Sequence, residues 1–379
     1  MRYLQAFLIS LVATVLTARQ RYQTSILEST VIGLCAFALI MLCPFFGPCG
    51  KWLHLAGLMA YGVGNVIYMT SWQPLLNTFL SDERRSLYLG KMRFTWQLCT
   101  ALFLFLVSRI IGKNPPAGYL QLVMVAGFIV FSGRLLCISS VPTFRRENAS
   151  RQKFHFKEGI LLALFNKPLA GFSVYIFVLN LFAFGTLAMN TLYLKNGLHA
   201  PASIIVLMSS ISLLGQLTGS FSTGRLIHAF GTRPLLLILH TTFALTNLWF
   251  FFMGRGLCGD HLLYTLIAVA VFIHSFMIAC ADVTSTNEMM HLATPGNEVV
   301  AMAFCNGFNY AGRALSSLLS SLILGAGFLA DEWVLGRMHG LRYQSIFLIS
   351  CIGIVFAYIL MLVVPAIFPG RNGEAARRL

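Results

Sequence analysis

Hydrophobic runs of about 20 residues, separated by short polar segments, recur along the whole sequence. A run of that length can cross the roughly 30 Å hydrocarbon core of a bilayer as an α-helix. The pattern predicts eleven membrane-spanning helices, near residues 3–17, 27–47, 53–80, 94–112, 118–140, 169–193, 203–226, 234–254, 262–289, 299–327 and 343–367. The connecting segments leave no room for a soluble domain. The predicted fold class is therefore an all-α polytopic membrane protein.

Composition and charge agree with this class. Of the 379 residues, 57% are hydrophobic and 10% are charged, whereas about a quarter of the residues in a soluble domain are charged. The net charge of +15 does not indicate nucleic-acid binding, because Lys and Arg concentrate in alternate connectors such as "SDERRSLYLGKMR" and "VPTFRRENASRQKFHFKEG". Basic connectors stay on the cytoplasmic side of a membrane. We therefore expect a multi-pass plasma (inner) membrane protein with a cytoplasmic C-terminus, surrounded by lipid and without a nucleic-acid partner.

Polar side chains follow single faces of several predicted spans. Tyr61, Asn65, Tyr68 and Trp72 share one face, because they are spaced four, three and four residues apart. An unpaired polar group in hydrocarbon costs several kcal/mol, so such faces point to the protein interior or to a water-filled cavity. We predict a substrate cavity midway through the membrane, lined by Tyr61, Asn65, Tyr68, Trp72, Trp96, Gln97, Asn180, Gln216, Asn306, Asn309 and Arg313.

Other interpretations of these faces stay open. The aromatic and amide face at residues 61–72 suits either a ligand cavity or packing around a satisfied amide. The row of Ser and Gly residues between 209 and 223, which includes Gln216, is more typical of close helix packing. The sequence alone does not separate these alternatives.

An arginine and an aspartate lie deep within predicted spans. Arg313 would cost at least about 2.5 kcal/mol if it faced lipid, so we expect it to face inward and to have a partner. Asp282 is the one acidic residue deep in a predicted span, although its expected depth differs from that of Arg313 by about two helical turns. The pair fits a structural ion pair, a contact to an anionic substrate, or a gate.

Asp282 also suggests a link between transport and protons. A desolvated aspartate beside a mobile cation can take up a proton as a cavity alternates between the two sides of the membrane. We therefore predict a coupling or ion-pair set of Asp282, Arg313 and His274. His274 fits either a proton carrier or a hydrogen-bonded interior histidine.

The chain lacks the residue patterns of several other protein classes. Its nine cysteines include no CxxC pair and lie mostly within apolar runs, so they do not indicate a metal site. No nucleophile or metal cluster indicates a membrane enzyme, and no GxxxxGK[ST] phosphate loop indicates a nucleotide-driven pump. We expect no catalytic residues, no metal and no cofactor.

The two halves of the chain resemble each other weakly. "LTAR" (16–19) and "STGR" (222–225) each follow a predicted span, and residues 81–102 align in position with residues 294–315. Two halves of related topology are typical of several transporter folds. We therefore predict an N-terminal helical bundle at 1–140, a basic cytoplasmic linker at 141–168, and a C-terminal six-helix bundle with a short basic tail at 169–379.

The segment "GRLIHAFGTRP" (224–234) resembles the Gly-x-Leu-x-Asp-Arg-x-Gly-x-Arg loop motif of the major facilitator superfamily. Gly224, Leu226, Gly231 and Arg233 match this motif, whereas His228 stands at the Asp position. The resemblance implies a gating loop at Gly224, Arg225, His228, Gly231 and Arg233, although a neutral histidine cannot replace the charge pairing of the aspartate.

The resemblance also implies an architecture and a function. The family has twelve helices in two six-helix halves, and the match starts at the second helix, so we expect the first helix to be absent from this chain. The implied function is secondary active transport of a small organic solute by alternating access, with protons as a candidate coupling ion, in a monomer. The alternative is a truncated or degenerate relative that does not transport and acts as a binding or sensor protein.

Overall fold

The computed structural model of the protein describes residues 22–111, 117–140, 156–254, 258–293, 298–335 and 338–364. This part of the chain consists mainly of α-helices, with a 3₁₀-helical segment at Cys43–Cys49, a π-helical turn at Tyr193–Gly197 and one short β-hairpin. The elements are, in chain order, α1 (Tyr22–Leu42), α2 (Gly50–Phe79), α3 (Asp82–Ile111), α4 (Ala117–Ser139), α5 (Phe156–Phe165), α6 (Lys167–Ala183), α7 (Thr186–Leu192), α8 (Ala202–Phe230), α9 (Thr232–Phe252), α10 (Asp260–Leu292), α11 (Glu298–Gly325), β1 (Glu332–Leu335), β2 (Met338–Leu341) and α12 (Arg342–Val363).

Helices occupy the predicted spans wherever the structure describes them. Six helical stretches among the described residues are long and apolar enough to cross a bilayer, and the first of them, Gln23–Leu76, contains both α1 and α2. The predicted span at 3–17 lies outside the described residues. Helices α3 and α11 are not among these six stretches, and α4 contributes only a shorter apolar helix at Met124–Ser139.

Three local features differ from the expected pattern. Helix α3 begins at Asp82, twelve residues before the predicted span at 94, because its first turns are polar and hydropathy does not detect them. The predicted span at 169–193 is interrupted between α6 and α7 at residues 184–185. The connector before α12 forms an antiparallel hairpin in which Trp333 pairs with Gly340.

By Cα proximity the chain forms two compact units. The first contains the described residues of Met1–Leu80, Thr100–Asn166 and Ala293–Gly307, and the second contains those of Ser81–Cys99, Lys167–Leu292 and Phe308–Leu379. Helices α3 and α11 thus contribute one segment to each unit. The predicted linker at 141–168 lies mostly outside the described residues, and its described part includes α5.

In the first unit, α1 packs closely against α2. A Cβ atom added at Gly64 on α2 would lie 2.9 Å from the carbonyl oxygen of Ser29 on α1, so only a glycine permits this backbone approach. Helix α1 also contacts α4, where Gln23 Nε2 donates a hydrogen bond to the carbonyl oxygen of Ile138 at 3.1 Å. Small residues and interhelical hydrogen bonds of this kind hold helices together in lipid.

In the second unit, α8 packs against α10 through glycines. A Cβ atom at Gly215 would lie 2.5 Å from the carbonyl oxygen of Phe272, and one at Gly219 would lie 2.4 Å from that of Phe276. This contact is the close helix packing that the Ser and Gly row suggested as one interpretation. An aromatic and aliphatic core, which includes Phe250, joins α7, α8, α9, α10 and α12.

The turn between α8 and α9 depends on one glycine. Gly231 has φ of +81°, a backbone conformation that L side chains rarely adopt, and its N–H donates to the carbonyl oxygen of Ile227 at 2.8 Å. Glycine at this position ends α8 and allows α9 to begin at Thr232.

Candidate functional site

A carboxylate on α10 contacts two arginines in the second unit. Asp282 Oδ2 accepts a hydrogen bond from Arg93 Nη1 at 3.3 Å, and Asp282 Oδ1 accepts one from Arg313 Nη2. The side chains of Asp282, Arg93 and Arg313 are only 21%, 25% and 12% exposed, so all three lie largely out of contact with solvent. We call these three residues the charged cluster. Two guanidinium groups and one carboxylate give it a formal charge of +1.

Helix α6 also positions Arg313. Arg313 Nε donates to Asn180 Oδ1 at 3.0 Å, and Asn180 Nδ2 in turn donates to the carbonyl oxygen of Ile176 at 2.7 Å. The Arg313 guanidinium also lies 4.6 Å from the centre of the Phe184 ring, which is within the range of a cation–π contact. These contacts fix the arginine independently of the aspartate.

A glycine next to Arg313 allows α11 to lie close enough to α6 for these contacts. A Cβ atom at Gly312 would lie 2.5 Å from the carbonyl oxygen of Phe177, so α11 and α6 approach nearly backbone to backbone there. The interruption after α6 lies at the same level, because a Cβ atom at Gly185 would lie 2.7 Å from Ser316 Oγ. Arg313 therefore lies close to the end of α6, where the backbone of α6 turns before α7.

Arg93 reaches Asp282 from α3. Its Nη2 atom donates to Thr286 Oγ1 at 3.2 Å, and Thr286 Oγ1 donates to the main-chain carbonyl oxygen of Asp282 at 2.7 Å. Arg93 is not among the site residues predicted from the sequence. In the sequence, Arg93 lies one residue before a predicted span. Arginine is common at such positions because basic residues fix the orientation of membrane helices.

A cavity lies beside the charged cluster. It is lined by Leu179, Asn180, Ala183, Phe184, Phe243, Ile278, Ala281, Asp282, Ser285, Asn309 and Arg313. Asn309 Oδ1 is buried and has no hydrogen-bond partner among the described residues. The cavity therefore combines an apolar wall with a few polar groups.

The other predicted cavity residues of the second unit have different surroundings. Gln97 Oε1 accepts a hydrogen bond from Ser220 Oγ at 3.0 Å. Gln216 Nε2 lies 3.5 Å from Ser212 Oγ. The Trp96 side chain is exposed. None of these three residues is among those that line the cavity beside the charged cluster.

His274 is fully buried and hydrogen-bonded. Its Nδ1 atom lies 2.8 Å from Thr246 Oγ1, and its Nε2 atom lies 3.3 Å from the carbonyl oxygen of Ala183. Ala183 lines the cavity, so His274 sits directly behind the cavity wall. This environment suits a structural histidine, whereas Asp282 pairs with Arg93 and Arg313.

The aromatic and amide face of α2 belongs to the first unit. The Tyr68 and Trp72 rings stack with their centres 5.6 Å apart, and the guanidinium of Arg134 lies 3.5 Å from the centre of the Tyr68 ring. Tyr61 packs against Phe131 with the ring centres 6.3 Å apart. The remaining two predicted residues of this unit are Asn65, which is half-buried, and Asn306, whose Nδ2 donates to Gln73 Oε1 at 2.8 Å.

The loop motif at the end of α8 has both buried and exposed members. A Cβ atom at Gly224 would lie 2.7 Å from Leu87 Cα, so this glycine allows α8 to approach α3 closely. Arg225 lies over the Phe221 ring at 5.0 Å, and His228, Gly231 and Arg233 are exposed. The gating role of these five residues stays a prediction.

No metal site is evident in the part of the chain that the structure describes. There, no group of three or more His, Cys, Asp or Glu side chains could hold a metal ion.

Comparison with known proteins identifies a family for the chain. A family model described as "Major Facilitator Superfamily" matches residues 172–378. Comparison with the curated protein sequences finds no match.

Solved structures of membrane transporters resemble the fold over nearly the whole chain. The proton:xylose symporter XylE bound to 6-bromo-6-deoxy-D-glucose is 15% identical, with a TM-score of 0.72 over 96% of this chain and 84% of that one. The human organic anion transporter MFSD10 is 13% identical, with a TM-score of 0.71 over 95% and 82%. The E. coli fucose:proton symporter FucP is 12% identical, with a TM-score of 0.68 over 94% and 87%. These similarities confirm the predicted all-α polytopic membrane fold.

Proposed function

The chain belongs to the major facilitator superfamily of membrane transporters, and from this premise we propose that it carries a small organic solute across its membrane by alternating access. The observation that carries this proposal is the charged cluster beside a cavity in the second unit. Charged side chains within membrane spans are costly, and by default they indicate a substrate or ion pathway. The proposal includes no enzymatic reaction and no cofactor.

The solute would contact polar groups on two helices. Asn180 on α6 and both Asn309 and Arg313 on α11 line the cavity, and each offers hydrogen-bonding atoms to a small polar molecule. The apolar part of the wall, which includes Phe184 and Phe243, would accommodate the carbon skeleton.

We further propose that Asp282 couples solute movement to protons. Its two carboxylate oxygens each accept a hydrogen bond from an arginine, and Thr286 donates to its main-chain carbonyl oxygen. Protonation of the carboxylate would weaken both ion pairs and release the arginines to other partners. Solute binding and proton binding would then be linked through one side chain.

Uptake by purified protein in proteoliposomes tests both proposals. A panel of radiolabelled xylose, fucose and small carboxylates is offered with and without an inward proton gradient. We expect uptake of at least one panel member, stimulated by the gradient. The Asp282→Asn variant should lose the pH dependence of uptake, whereas the matched control Asp331→Asn, at a residue whose side chain is 83% exposed, should keep it. Unchanged pH dependence in Asp282→Asn would refute the coupling role.

The same preparation separates transport from a pure binding role. If a solute binds to the purified protein but no panel member crosses the bilayer under any gradient, the binding or sensor alternative replaces the transport proposal.

We also propose that the protein lies in the plasma membrane with its C-terminus in the cytoplasm, on the basis of the basic connectors. The family resemblance further implies a monomer. A C-terminal epitope tag should then be detected only after cells are permeabilised. Detection of the tag on intact cells would contradict this orientation.

A further inference from the structure

We propose that the cavity beside the charged cluster binds a water molecule between Asn309, Ser285 and the Asp282 carboxylate, and that this water passes protons to the carboxylate. The inference rests on the proposed function and deepens it, because it assigns the last step by which a proton reaches Asp282.

The size of the cavity fits water. About 20 Å³ of the space inside it is open to a water molecule, and a single buried water needs about 10–15 Å³. A site for a drug-sized ligand measures roughly 300 Å³ or more. In this conformation the cavity therefore has room for water, and an organic solute can enter only if the surrounding helices move apart.

Asn309 on α11 provides the first partner for the water. Its Oδ1 atom is buried and has no hydrogen-bond partner among the described residues, and the residue lines the cavity. A buried acceptor without a partner costs free energy. Buried waters occupy positions of this kind, where they make about three hydrogen bonds. A water that donates to Asn309 Oδ1 removes the cost.

Two side chains of α10 provide the other partners. Asp282 and Ser285 both line the cavity and lie three residues apart, on the same face of the helix. Each carboxylate oxygen of Asp282 accepts a hydrogen bond from one arginine of the charged cluster and can accept another. The hydroxyl of Ser285 can donate a hydrogen bond to the water oxygen. The water thus has two acceptors and one donor around it.

The chemistry of these partners selects water over a cation. Asn309 Oδ1 and the Asp282 carboxylate are both acceptors, so a molecule that binds between them has to donate two hydrogen bonds. Water does so without adding charge. A metal cation would also suit two oxygen atoms, but the guanidinium groups of Arg93 and Arg313 already contact the same carboxylate and repel another positive charge.

The bound water supplies protons to Asp282 by direct transfer. The proton that it donates in its hydrogen bond moves to the carboxylate oxygen, and the O–H bond of the water breaks as the new O–H bond forms. A lone pair of the water oxygen takes up a proton from hydronium in solution, so the water is regenerated. The net step is proton transfer from hydronium to Asp282, whose side chain is 21% exposed.

Infrared difference spectroscopy of the protein in lipid nanodiscs tests the water site. Spectra at low pH minus high pH are recorded in ordinary water and in water enriched in heavy oxygen, so that bands of bound water are identified by their isotope shift. We expect such a band in the wild type and its loss in Asn309→Leu. The control Ser210→Ala should keep it, because that exposed hydroxyl donates to the carbonyl oxygen of Val206 on its own helix. A wild type without the band, or a band unchanged in Asn309→Leu, would overturn the site.

The rate of protonation tests the proton route. A rapid pH drop is followed at the carboxylic-acid band that Asp282→Asn lacks. Asn309→Leu and Ser285→Ala should each slow protonation about 10-fold, because each removes one hydrogen bond that holds the water, and Ser210→Ala should not. An unchanged rate in both variants would show that the water is merely structural. Thermal unfolding verifies that each variant is folded, and if Asn309→Leu is not, the band and rate of Ser285→Ala decide.

The outcomes keep this inference apart from the proposed function. If the water band is absent but Asp282→Asn still loses the pH dependence of uptake, the proposed coupling stands and the water route is wrong. If band and rate behave as expected but no solute crosses the bilayer, the water site stands and the transport proposal is wrong.

Discussion

Replacement of Arg313 by glutamine should destabilise the second unit measurably. The shorter neutral side chain loses the charge-assisted hydrogen bond to Asp282 and the contact with the Phe184 ring. It leaves Asp282 with Arg93 as its remaining cationic partner. The helices α6, α10 and α11 then lose a connection that joins all three.

The expected loss of unfolding free energy follows from these contacts. Removal of one partner of a buried ion pair costs about 3–5 kcal/mol when the other charge is left alone. That value is an upper bound here, because Arg93 still neutralises Asp282. Interhelical hydrogen bonds in membranes average only about 0.6 kcal/mol, which is a lower bound because it describes neutral pairs. A charge-assisted bond of about 1.5–3 kcal/mol lies between these bounds, so we expect a loss of about 2 kcal/mol.

Unfolding in mixed micelles by titration with sodium dodecyl sulfate measures this loss. The matched control is Arg342→Gln, whose ion pair with Asp331 at 3.2 Å is 40% and 83% exposed and should matter by less than about 0.5 kcal/mol. A double-mutant cycle with Asp282→Asn should give a coupling energy of at least about 1 kcal/mol between Arg313 and Asp282. Equal stability of Arg313→Gln and the control variant would refute the reasoning.

Two further stability predictions use the same unfolding assay. Gly219→Ala should cost about 1–3 kcal/mol, because its Cβ atom would lie 2.4 Å from a carbonyl oxygen of α10, whereas Thr218→Ala on the exposed side of α8 should change little. Equal effects of the two variants would show that α8 and α10 do not approach as described. Arg134→Gln should cost about 0.5–2 kcal/mol through loss of the contact with the Tyr68 ring at 3.5 Å. An unchanged midpoint for this variant would indicate that the contact contributes nothing.

Hydropathy predicted the helices well because lipid imposes one requirement on every span, which is a long apolar helix. It failed where a helix continues beyond the apolar region. The first turns of α3, from Asp82, carry charged residues and resemble a connector in composition. The hairpin at Trp333 depends on its contact with Phe251, whose ring is stacked 5.0 Å away, and this contact is distant in sequence.

The candidate site was predictable only in part, because some of its contacts join residues that are distant in sequence. Arg313 and Asp282 were recognisable because charges deep in apolar helices need partners. Arg93 was not, because it precedes the apolar part of its helix and its contact with Asp282 spans 189 positions. Arg134 lies near one end of α4, where arginines commonly extend toward the membrane surface, so the pattern did not single it out.

The most direct test of the account asks whether solvent reaches the cavity wall from both sides of the membrane. In a cysteine-free background, Asn309→Cys places a thiol on the wall without altering the charged cluster. A membrane-impermeant maleimide is applied to proteoliposomes from outside or enclosed within them. Alternating access predicts labelling from each side, slowed by the transported solute. Labelling from neither side, or from one side only under every gradient, would contradict a cavity that carries solute across the bilayer.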